Sequence, residues 1–194
     1  MYITTRFAAL TIVAACASNS AAQTLEKAYI LAEPLQYSNQ GNFRGCGLNL
    51  KLLQESESKS RDYVTLSVNF WMDSPTSALV KTALSRATIG VAPSSEPQPL
   101  ETSWARVKGA EPLIPEKSMR GEDQALLTTV ELSAAVDFVT TVMQGSKEIQ
   151  VGFRQPRAKY ERIFYGTPNV EQESKKLLES CFGEFVSRLG NSPK

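Results

Sequence analysis

Two runs of strict alternation constrain this chain most. Leu48, Leu50 and Leu52 alternate with Asn49, Lys51 and Leu53, and Val64, Leu66, Val68 and Phe70 alternate with Thr65, Ser67 and Asn69. A period of two puts each apolar set on one face of a strand, and that face has to be buried. The charged segment 54–62 lies between the runs. It reads as a hairpin tip, so the two strands are expected to pair antiparallel. Residues 77–91 carry Ala78, Val80 and Leu84 on one face and Leu79, Ala83 and Ala87 on the other. Both faces are apolar, as in a central strand, although Ala and Leu also permit a helix there.

Shorter strand patterns fill out the set. Residues 28–32 form one, ended by Pro34, and 38–44 read as a turn-rich loop. Segments 102–108, 126–132, 149–153 and 160–165 are the others. In 102–108, parity puts Trp104, Arg106 and Lys108 opposite Ala105 and Val107. The total is about seven or eight strands. Pro93, Pro97, Pro99, Pro112 and Pro115 break the rest of 93–123 into irregular pieces.

Two helices come late. Ser133 is placed to cap residues 134–144, with Val136, Val139 and Met143 as the stripe and Gly145 as the stop. The second spans 167–189. Leu177, Leu178, Cys181, Phe182, Phe185, Val186 and Leu189 recur at steps of three and four, with charged residues opposite. Thr167 or Asn169 can cap it, Pro168 suits its first turn, and Gly190 can take the left-handed stop. Strands first, helices late and hairpin-length connections define an α+β protein of mostly antiparallel β content, a sheet or sandwich. The C-terminal helix is expected to pack on the sheet as a lid.

The start of the chain reads as an address. Arg6 ends a short basic region, residues 7–17 are apolar but too short to span a bilayer, and Ser20-Ala21-Ala22 offers a cleavage site. This makes 1–22 a signal peptide and 23–194 a single exported globular domain, periplasmic or secreted. A competing reading takes Val13-Ala14-Ala15-Cys16 as a lipoprotein signal, with Cys16 acylated and the protein anchored to a bacterial membrane. Lys and Arg total 21 against 20 Asp and Glu, and Arg6 is the one charged residue of the leader, so the mature chain is formally neutral. No global field attracts nucleic acid, and membrane association follows only if Cys16 is lipidated.

Cys46 and Cys181 are the cysteines left after processing. In an oxidising compartment they are expected to pair, joining the final helix to the first strong strand. Closing so long a loop is worth roughly 5 kcal/mol in the entropic model. Two buried free thiols are the alternative.

Histidine is absent. That removes Ser–His–Asp and Cys–His mechanisms, the common zinc sites and the usual base near neutral pH. No phosphate-binding glycine loop, dinucleotide fingerprint or calcium loop occurs, so no cofactor or metal is expected. Ser56 and Lys59 match an S-x-x-K pattern, but inside a charged hairpin tip rather than at a buried helix start. The acidic pairs Glu55/Glu57, Glu122/Asp123 and Glu171/Glu173 read as surface charges.

Two features point to binding. Arg154, Arg157, Lys159 and Arg162 concentrate positive charge in one hairpin, where Arg154 and Arg162 can face each other and hold a carboxylate, a phosphate or an acidic partner. A solvated turn is the bland reading. Trp104 with Arg106 is an aromatic beside a cation, suited to an interface, unless the tryptophan folds inward to pin its loop. In layout alone, with residues 133–153 as the suggestive part and no specific motif, the chain resembles small exported bacterial proteins such as the invasion-associated locus B family. The function expected is non-catalytic binding of another envelope protein or a small anionic ligand. The alternatives are a histidine-independent enzyme with a Ser/Lys or carboxylate site, and a lipid-anchored accessory subunit.

Overall fold

The computed structural model describes residues 22–88 and 96–190. The leader through Ala21, Cys16 within it, and the stretch containing Val91 and Pro93 lie outside the described residues. The strands are β1 (Gln23–Asn39), β2 (Asn42–Gln54), β3 (Ser60–Trp71), β4 (Ser77–Thr88), β5 (Glu96–Gln98) and β6 (Thr102–Val107). They continue with β7 (Lys117–Arg120), β8 (Leu126–Glu131), β9 (Ile149–Arg154), β10 (Glu161–Gly166) and β11 (Pro168–Asn169). All belong to one mixed sheet in the order β6-β9-β10-β1-β2-β3-β4-β8-β7, with β5 beside β4 and β11 beside β1. β1 runs parallel to β10 and β11, and the remaining pairs are antiparallel.

The alternating runs do what their period requires. Leu48, Leu50 and Leu52 on β2 and Val64, Leu66, Val68 and Phe70 on β3 all point to one face and are fully buried. The sheet curls around them. Ser103 on β6 hydrogen-bonds Thr82 on β4 at 2.9 Å, although β9, β10, β1, β2 and β3 separate the two strands in the sheet order. Helices α1 (Leu132–Gln144) and α2 (Gln172–Gly190) pack at one end of the curled sheet. α1 buries Ala135, Phe138, Val139, Val142 and Met143. α2 buries Leu178, Cys181 and Phe185 against β1 and β2. The mostly-β class, two late helices and a C-terminal helix on the sheet stand as expected.

The strand count is eleven, not seven or eight. The additions are β5, β7 and β11, with the sequences Glu-Pro-Gln, Lys-Ser-Met-Arg and Pro-Asn. They are short additions flanking longer strands and carry no alternating apolar set, so periodicity does not reveal them. β1 is far longer than residues 28–32. It runs through Pro34 because its second side has no strand partner beyond Leu31, so the missing N–H costs no ladder bond. Gln40 and Gly41, both with positive φ, make the tight turn into β2 where a longer loop was expected.

The helix ends also differ. α2 begins at Gln172 rather than Thr167, because Pro168 and Asn169 pair with Ile30 and Leu31 of β1. Gly190 closes α2 without a left-handed turn. Glu131, not Ser133, precedes α1, and the Ser133 hydroxyl donates to the Glu131 carboxylate at 2.5 Å. Gly145 is the left-handed stop of α1, as its sequence implies.

Candidate functional site

The inward face changes character at the end of the sheet away from the helices. Glu26 precedes Ala28 at the same parity on β1, Gln54 follows Leu52 on β2, Asp62 precedes Val64 on β3, and Arg86 follows Leu84 on β4. Each therefore faces the core side, one step past the apolar row. Arg162, at the inward parity of Phe164 on β10, ties them together. Its guanidinium grips Glu26 through two bonds of 2.6 Å and also bonds Asp62. Arg86 donates to the second Asp62 oxygen at 2.9 Å, and Gln54 donates to Glu26 at 2.6 Å. The Arg162 guanidinium lies over the rings of Phe153 and Phe164, 5.3 Å from each. Burial alone raises the Asp62 carboxyl, but the hydrogen bonds from Arg86 and Arg162 outweigh it and hold its pKa below the ordinary 3.8. Burial likewise opposes the charge of Arg162, and Glu26 and Asp62 overcome that and raise its pKa. Every charge in the cluster is matched, so it is a polar plug for this end of the core.

This placement corrects the basic hairpin. Arg162 pairs with Phe153 across β9 and β10, so Arg154 and Arg162 do not face each other. Arg162 points inward and is spent on the plug. Arg154 bonds Glu101 at 3.1 Å. Only Arg157 and Lys159 remain at the tip, both exposed and, among the described residues, in no ion pair. The tip is a tight turn closed by the Ala158 N–H on the Gln155 carbonyl at 3.1 Å. Pro156 takes the second position, and Arg157 the third at φ 65°. That is a type II turn, whose third position favours glycine.

Trp104 keeps its expected parity on the strand its sequence implies, and it does not fold into the core. It is half-buried on the outer face of β6, where its ring lies on Gly152 of β9; a Cβ at Gly152 would collide with the indole. The indole N–H donates to Glu161 at 2.8 Å. The Arg106 guanidinium stacks 5.1 Å from the ring centroid and donates to Gln150 at 2.9 Å. The sheet register runs Trp104, Gly152, Ile163, Leu25 in one row. Ile163 is buried on this outer face, while Leu25 and nearby Ile114 are 65% and 70% exposed.

Cys46 and Cys181 meet, as their sequence positions suggested, but the structure holds them as free, buried thiols. The Cys181 sulfur also contacts the Gly45 and Leu35 carbonyls at 3.8 and 3.9 Å. Burial pushes both thiols up, and for Cys46 the contact with Cys181 pushes further. Neither is a poised thiolate nucleophile. Ser56 lies in the loop after β2, where its hydroxyl accepts the Ser58 N–H at 3.1 Å, and Lys59 is exposed beside it. No group of three potential metal ligands occurs among the described residues, and no described helix is long and apolar enough to cross a membrane.

Comparisons of the chain with protein-family models, curated proteins and solved structures find no match.

The plug residues Glu26, Gln54, Asp62 and Arg86 were not singled out from sequence. Their signal was available: each is a polar residue continuing the inward parity of an apolar run.

Proposed function

We infer that this chain is a non-catalytic binding protein of the bacterial envelope and that it meets a partner protein through the outer face of β6, β9, β10 and β1. The observation that carries this reading is the surface itself. Trp104 is seated on Gly152, Leu25 and Ile114 stand out beside it, and Arg157, Lys159 and Tyr160 crown the adjoining hairpin tip. Aromatic and arginine side chains beside exposed apolar groups are the composition of interface centres. The inward charges, by contrast, are consumed by one another and leave no free acid, base or nucleophile.

Arg157 supports the reading independently. A non-glycine residue at positive φ carries a backbone cost, and glycine at the same position would be more stable. Arg157→Gly is expected to hold or raise stability by about 1 kcal/mol while weakening partner capture. A photo-crosslinker placed at Ile114 in cells should trap a partner that Arg157→Gly and Trp104→Ala both reduce. Equal trapping from a crosslinker at Lys176, on the exposed face of α2, would defeat the assignment of this surface.

The Cys46–Cys181 bond belongs to the same reading. In an oxidising compartment the two thiols lose two protons and two electrons to a thiol–disulfide oxidant and form one S–S bond. Because both are buried and protonated once α2 docks, oxidation has to precede that docking. Envelope-purified protein should weigh two hydrogens less than its reduced form. Cys46→Ser and Cys181→Ser should lower the melting temperature by matching amounts, with no further loss in the double variant. An unchanged mass on reduction would defeat the bond.

A further inference from the structure

α2 carries more apolar surface than the sheet covers. Leu178, Cys181 and Phe185 are buried, whereas Phe182 is half-buried and Val186 is 65% exposed. α1 likewise leaves Val136 half-buried. The end of α1 meets the start of α2, where the Lys175 ammonium donates to the Gln144 carbonyl at 3.5 Å. Between the helices runs a groove of about 550 Å³. Val136, Val139, Met143, Leu178, Phe182 and Val186 line it, with Gln144, Lys175 and Glu179 among its polar residues.

The apolar lining and the charge at one end together point to an occupant. The groove follows α2 from Lys175 to Val186, a rise of about 16 Å. A single extended acyl chain can lie along that length against the apolar lining. Charge then sets its direction. Among the described residues Lys175 forms no ion pair, and its ammonium, held at one end by the Gln144 carbonyl, keeps donors for an anion. Glu179, one turn along, repels an anion from the middle, and the Val136–Val186 end is apolar.

We propose that the α1–α2 groove binds a free fatty acid, its carboxylate on Lys175 and its acyl chain laid toward Val186. The site is separate from the outer sheet face and does not depend on it. The probe is dodecanoate below its micelle concentration, titrated calorimetrically into the full mature protein. Saturable single-site binding is expected. Val186→Glu puts a charge where the chain ends and should weaken binding at least about tenfold, because a carboxylate would be desolvated by the acyl chain. Since Val186 is largely exposed, the variant should keep its circular dichroism and melting temperature. Lys175→Met should weaken dodecanoate several-fold and leave dodecanol unchanged, which a purely structural lysine would not do. Absence of saturable binding overturns the proposal. So does dodecanoate binding that Val186→Glu leaves intact, or binding confined to phospholipid vesicles.

Discussion

Asp62→Ala is expected to lower the melting temperature by about 10 °C, a cost of about 3 kcal/mol. The magnitude follows from what is left behind. Asp62 is buried, and its two oxygens hold Arg86 and Arg162. Truncation leaves the inward-facing Arg162 against Phe153 and Phe164 with Glu26 as its remaining acidic partner. Arg86 is half-exposed and recovers water, so most of the loss belongs to Arg162. The folded-state pKa of Asp62 lies below its unfolded value. The interaction is therefore fully present above about pH 4 and is lost as pH falls through the lower folded-state value. Thermal melts should accordingly show the gap between wild type and Asp62→Ala closing under acid. Replacing the three together, Asp62→Leu, Arg162→Met and Glu26→Gln, should recover much of the loss, since no unpaired charge is then left buried. A shift under 2 °C for Asp62→Ala at neutral pH would mean that the plug is solvated and contributes little.

How far this arrangement can be read from sequence depends on the kind of signal. Parity carries across long strands, so the buried rows on β2 and β3 and the opposed faces of Trp104 and Ala105 follow from alternation alone. The same rule, extended one step, reaches Asp62 from Val64 and Arg86 from Leu84. Their inward parity was legible, but their pairing was not, because it depends on how tightly the sheet curls. Arg162 shows the limit. In sequence it belongs to a basic hairpin, and only the register against Phe153 turns it inward, away from Arg157 and Lys159. Strands such as β7 and β11 are set by the neighbour they dock on. Pro168 and Asn169 carry better helix-start chemistry than strand chemistry, yet the free side of β1 at Ile30 and Leu31 takes them. Here tertiary pairing overrides local preference.

Gly45→Ala is expected to be as damaging as the loss of Asp62, although it removes no interaction. Gly45 and Gly47 flank Cys46 on β2, and both press on the backbone of β3. A Cβ at Gly45 would fall inside contact distance of the Phe70 carbonyl oxygen, with its carbon at 3.2 Å and the Trp71 Cα at 3.3 Å. At Gly47 it would meet the Val68 oxygen at 2.6 Å. These obstacles are backbone of paired strands, so neither can swing aside. β2 and β3 would have to separate where Cys46 and Phe70 are wholly buried. A cost of about 3 kcal/mol or more is expected, at the upper end for overpacking a core. Separation would also disturb the Gly45 carbonyl that the Cys181 thiol contacts, loosening α2. Gly183→Ala supplies the opposite sign. An added Cβ there meets nothing within 4 Å, and alanine favours the helix by about 1 kcal/mol. Chemical denaturation of the two variants should therefore move the midpoint in opposite directions. If Gly45→Ala matched wild type, the close approach of β2 to β3 would be wrong, and the seat of the final helix on them with it.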